Sequence, residues 1–122
     1  MTLKELYQTI DGDYEQAARV LRVEKLIDKH IRKLTKNGVI DNLLAAGESM
    51  DPTQLFETSH AVKGVCGNLG LTALALAASE ISEEFRPGTS RSMTDEQVKE
   101  KMQEISSLYD KTRQGIDNYC NQ

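Results

Sequence analysis

From Thr94 to the C-terminus the chain carries a largely apolar stripe, Val98, Met102, Ile105, Tyr109, Thr112, Ile116 and Tyr119, stepping alternately by four and three residues. A seven-residue repeat held over about three heptads is the pattern of a helix packed nearly antiparallel in a bundle. Thr94, with Gln97 three residues on, supplies the start of this helix. The rest of the chain obeys the same period, and there is almost no β signal.

Read from the start, Thr2 and Glu5 have the spacing of a capping box. Leu3, Leu6, Tyr7 and Ile10 then predict a short amphipathic helix ended by Gly12. A second segment begins near Asp13, with Tyr14, Ala17, Ala18 and Leu21 on one side. A longer helix follows with Val23, Leu26, Ile27, His30, Ile31 and Leu34, and Asn37-Gly38 is its expected C-cap. Val39, Ile40, Leu43 and Leu44 resume the pattern up to an expected end at Gly47. Asp51, Pro52 and Gln54 then mark a sharp helix start. From there Leu55, Ser59, Val62, Cys66 and Leu69 form a core stripe that Gly70 ends. A partner helix from about Leu71 to Phe85 faces inward through Leu71, Leu74, Ala78, Ile81 and Phe85, and a loop around Pro87-Gly88 leads to the last helix. The expected architecture is all-α: an up-down four-helix bundle (residues 23–120) with additional short N-terminal helices (residues 1–22) capping it, all in one domain over residues 1–122.

Bulk properties narrow the function. At 122 residues there is chain for one core. Nineteen acidic against fifteen basic residues, without a basic cluster, argue against nucleic-acid binding. No apolar run approaches the roughly 20 residues needed to span a bilayer, and Met1 to Ile10 lacks a signal-peptide hydrophobic region. A cytoplasmic chain without membrane contact is expected, and a start at Met1 fits a freestanding one. Cys66 and Cys120 have no metal-type spacing to each other or to His30 and His60, so buried free thiols and no metal are expected.

His60 stands apart. At about 100° per residue it lies roughly 140° from the centre of the Leu55–Leu69 stripe, on the exposed side. Gly64 and Gly67 share that side, although glycine inside a helix costs roughly 1 kcal/mol relative to alanine. Bare backbone beside an exposed imidazole gives room for another protein's active site to approach; the alternatives are that Gly64 and Gly67 serve close helix packing and that His60, like most lone surface histidines, has no chemical role. An imidazole with an ordinary pKa near ~6.5 is largely unprotonated at neutral pH, as a phosphoryl acceptor must be. Lys63, about one turn along, can reach the phosphoryl oxygens. No nucleophile–base pair, phosphate-binding loop or ligand cluster is present, so the chain reads as a carrier and not an enzyme.

The run from His60 to Leu71, His-Ala-Val-Lys-Gly-Val-Cys-Gly-Asn-Leu-Gly-Leu, resembles the signature of histidine-containing phosphotransfer (HPt) domains: His, two residues, Lys-Gly, then small or apolar residues ending in Asn-Leu-Gly. The resemblance extends downstream to Glu80, Glu84 and Arg86 and, more loosely, upstream to Leu43. It implies that His60 is phosphorylated through Nε2, that Lys63 stabilises the phosphoryl group, that Gly64 admits a docking receiver domain, and that Asn68 and Gly70 shape the turn between the two central helices. Family members often place Gln or Glu on the facing helix to hold the other ring nitrogen. The residue there is Ser82, which is shorter, so orientation of the imidazole falls to Ser82 through water, to neighbouring Glu83, or to neither.

The resemblance further implies a phosphorelay partner set: response-regulator receiver domains, a histidine kinase or hybrid kinase, and Mg²⁺ held by the receiver, with no cofactor on this chain. The alternative is a helical adaptor that docks receivers or kinases without transferring phosphate; the His60–Lys63–Gly64 set argues against it. Helical spacing puts Thr53, Phe56 and Glu57 on the expected docking surface, with Phe56 either a contact for the receiver or packing at the bundle edge. A bundle of this kind needs no second copy to complete its core, so a monomer is expected.

Overall fold

The computed structural model describes residues 1–122 as seven helices without a strand: α1 (Leu3–Thr9), α2 (Tyr14–Leu21), α3 (Glu24–Leu34), α4 (Val39–Ser49), α5 (Pro52–Asn68), α6 (Thr72–Glu84) and α7 (Asp95–Cys120). The starts are chemically specified. Thr2 with Glu5 and Thr94 with Gln97 form complete capping boxes, so orphan amide donors of α1 and α7 are satisfied reciprocally. Asp51 accepts from the amides of Thr53 and Gln54, and Pro52 occupies the first turn of α5, where its missing N–H is not needed.

Helices α4 to α7 form the ring of the bundle, with α5 against α4 and α6, and α7 closing on α4 and α6. The short helices lie against it: α1 on α7, α2 on α3 and α5, α3 on α7. One continuous cluster of 27 buried apolar residues draws on all seven helices, so burial of apolar area, the main favourable contribution to folding, ties the N-terminal helices to the ring. The α5 stripe (Leu55, Ser59, Val62, Cys66, Leu69), the α6 stripe and the whole α7 stripe are buried as their spacing predicts.

Four local expectations are corrected. Gly47 does not end α4; the helix runs on to Ser49, and Met50 takes the left-handed conformation at its end. Gly47 instead receives the Met102 side chain of α7, whose terminal carbon would lie 2.7 Å from any Cβ placed there. Asp11, with φ 55°, makes the left-handed turn after α1, while Gly12 lies against the Tyr7 ring. Gly38 (φ 76°) is the N-cap of α4, and α3 has already closed at Thr35. Of the apolar residues around α3, only Ile27, Ile31 and Leu34 are buried, whereas Val23 and Leu26 face solvent. Both thiols are free, Cys66 being buried but Cys120 only partly so.

Candidate functional site

Because Leu55, Ser59, Val62 and Cys66 turn inward, the opposite face of α5 carries His60, Lys63 and Gly64 into solvent. A Cβ added at Gly64 or Gly67 would meet nothing within 4 Å. Neither glycine is there for close helix packing within the chain; the space beside the histidine is open. Lys63 takes part in no ion pair within the chain. It lines a shallow groove with Gly67 whose other walls include Asp13 and Gln16 at the start of α2 and Leu76 of α6. Leu76, 62% exposed, is the most exposed large apolar side chain in the chain.

The end of the site helix is held by the N-terminal elements. The Tyr7 hydroxyl donates to the Leu69 carbonyl at 2.7 Å in a buried setting, which satisfies one of the orphan acceptors at the C-terminus of α5. Leu71 N–H reaches back to the Cys66 carbonyl around Gly70, whose φ of 70° gives the left-handed turn of a Schellman ending. Asn68 is the last residue of α5 and is exposed. Burial pushes the Cys66 thiol up to about 12, which leaves it protonated and inert beneath the site.

Around the imidazole itself, the nearest organised partner is aromatic. The Phe56 ring, half-buried and packed on the core, stacks on His60 with centroids 5.8 Å apart and planes 22° from parallel. Thr53 and Glu57 lie exposed on the same helix. Ser82 is buried and Glu83 is exposed and paired with Arg86; no hydrogen bond joins either to His60. The second histidine, His30, is exposed on α3 and borders a different recess with Lys33 and Asn37. No group of three or more His, Cys, Asp or Glu side chains could hold a metal ion, and no helix is long and apolar enough to cross a membrane.

Sequence reasoning did not find Leu76, Asp13 or Gln16. Leu76 lies off the Leu71–Phe85 stripe, so the same angular arithmetic that exposes His60 would have exposed it. Asp13 and Gln16 reach the groove only through the packing of α2 on α5, which no local pattern encodes.

A family profile described as "Hpt domain" matches residues 3–115. No curated protein and no solved structure matches the chain. The match runs from the first residue of α1 well into α7, and so takes in the short N-terminal helices as well as the four-helix ring and the His60 motif. With that coverage, the chain belongs to the Hpt domain family, the histidine phosphotransfer carriers of two-component phosphorelays.

Proposed function

We propose that this chain is a phosphorelay carrier that accepts a phosphoryl group on His60, from a receiver-domain aspartate or a histidine kinase, and passes it to the receiver domain of a response regulator. The observation that carries the reading is the open approach to His60: an exposed imidazole on a helix whose neighbouring Gly64 and Gly67 present bare backbone. In the transfer, a ring nitrogen lone pair attacks phosphorus, the N–P bond forms as the P–O bond to the aspartate breaks, and the electron pair returns to the carboxylate. The proton on the other ring nitrogen stays in place. Lys63, unpaired and about one helical turn away, supplies a mobile positive charge to the phosphoryl oxygens.

Reaction in either direction needs in-line geometry and charge compensation more than a base on this chain. The receiver brings the Mg²⁺ and the acidic pocket, and the carrier brings the nucleophile and a surface that admits the receiver. That surface comprises Thr53 and Glu57 before His60 and Gly64 and Gly67 after it, while Phe56 packs at the bundle edge. The carrier works as a monomer, a reading supported by the burial of the bundle's apolar stripes within one chain.

The test is phosphorylation by phosphoramidate of the wild type and of His60→Gln, followed by mixing with a panel of receiver domains and Mg²⁺. The expected result is one acid-labile phosphoryl group on the wild type alone, drained by at least one receiver. A folded wild type that takes up no phosphoryl group would sink the carrier reading and leave a docking adaptor in its place.

A further inference from the structure

The His60 ring makes no hydrogen bond that would fix its plane, and the torsion that turns an imidazole about its Cβ–Cγ bond is intrinsically broad. The plane matters, because the nitrogen lone pair that attacks phosphorus lies in it. A freely turning ring sweeps that lone pair away from the line through phosphorus and the leaving oxygen. The facing helix does not supply the missing restraint, since Ser82 is buried and Glu83 is engaged with Arg86.

We propose that Phe56 is a positioning residue for the reacting ring, its phenyl face holding the His60 imidazole in the plane from which it attacks. Phe56 is suited to the task because it is itself anchored: it is half-buried, packs against the core, and lies one helical turn before His60. The offset, near-parallel arrangement at 5.8 Å and 22° is within the range where aromatic pairs attract. Such a pair favours the stacked rotamer by roughly two- to tenfold over an unstacked one. An N–P bond also lies in the plane of the imidazole, so the phosphoryl group projects past the edge of the stack. The restraint therefore persists through loading and unloading. This role rests on His60 being the phosphorylated residue.

The experiment compares wild type, Phe56→Leu and Phe56→Tyr, with histidine isotopically labelled for NMR. His30, remote from the stack, serves as the internal reference. In the wild type the carbon-bound ring protons of His60 are expected to be shifted by the phenyl ring current and the imidazole to be ordered. Phe56→Leu should abolish both and Phe56→Tyr should keep both, while His30 is unchanged in all three. With a receiver domain that drains phosphorylated wild type, Phe56→Leu should lower the maximal transfer rate about two- to fivefold, leave the half-saturating receiver concentration unchanged, and be rescued by Phe56→Tyr. Unaltered His60 signals in Phe56→Leu would overturn the proposal, as would a loss confined to the half-saturating concentration, which would make Phe56 a docking contact. Loading with phosphoramidate separates the two readings. If no variant accepts phosphate, the carrier reading fails, whereas loading of all three with an unstacked ring condemns only the role of Phe56.

Discussion

The amide of Asp13 donates to the carbonyl of Gly70 at 2.7 Å, and the carbonyl oxygen of Asp13 fills the space into which a side chain on Gly70 would project. The first residue before α2 and the turn after the His60 helix are thus built into one another. Two glycines of the same motif consequently have opposite roles. Gly70→Ala must place a Cβ in a left-handed backbone and against a fixed carbonyl, and should cost about 2–4 kcal/mol. Gly64→Ala meets open space and should gain up to about 1 kcal/mol from helix propensity. Its methyl group would nevertheless stand in the approach to His60 and slow transfer to a receiver roughly tenfold or more. Denaturant titration of both variants, with the transfer assay on Gly64→Ala, checks the contrast.

Tyr7 reaches from α1 to the end of α5. Burial raises the pKa of its hydroxyl, which stays a donor to Leu69 across the accessible pH range. Tyr7→Phe keeps the ring but leaves the Leu69 carbonyl without this partner, and should destabilise the fold by about 1–3 kcal/mol. Loss of amide-exchange protection should be largest at the α5–α6 turn, and hydrogen exchange will show whether it is.

Glu84, at the end of α6, is only 6% exposed and gathers the loop before α7. Burial is the largest influence on its carboxyl and pushes its pKa up. The hydrogen bonds from Met93 N–H and from the hydroxyl and amide of Ser92, with the Arg91 guanidinium, together outweigh it and hold the group below its ordinary value of 4.5. A carboxyl depressed by folding stabilises the native state fully above its unfolded value, and that contribution is lost as pH falls through the folded one. Glu84→Gln should therefore lower stability at neutral pH by about 1–3 kcal/mol. The gap to wild type should narrow as pH falls below about 4.5, where the unfolded carboxyl takes up a proton, and close once the folded one is neutral as well. Melting temperatures of the two proteins across that range provide the test.

The two thiols should behave differently. Cys66 is buried under the site helix with its thiol pushed up to about 12, so it should resist alkylation in the native protein. Cys120, partly exposed at the end of α7, should react. Mass spectrometry after brief treatment with a thiol reagent should find one adduct, on Cys120, and two only after denaturation.

How far the sequence reaches depends on whether one helix or two decide the outcome. The α5 and α7 stripes were legible because the helical period alone separates buried from exposed, and the exposure of His60 follows from the same arithmetic. Gly47 misled because glycine breaks a helix or admits a neighbour with equal ease; the Met102 side chain that occupies its place comes from α7. At α1, Gly12 drew attention as the permissive residue, yet Asp11 takes the left-handed turn while Gly12 makes room for the Tyr7 ring. Val23 and Leu26 fit a helical pattern but lie beyond the edge of what α2 and α7 can cover. At the site, Phe56 was legible as a neighbour of His60 but its stacking was not, since ring orientation depends on how the bundle edge holds the phenyl group.

The Tyr7 and Asp13 bonds have a consequence for where the carrier can be cut. A shortened version lacking residues 1–22 would keep the ring of four helices and the histidine, but would strip the lid from Leu69 and from Gly115 of α7, against which Ile10 and Leu6 pack. The last turn of α5 should then fray toward Gly67. The opening residues thus act as a splint for a turn that lies far along the chain.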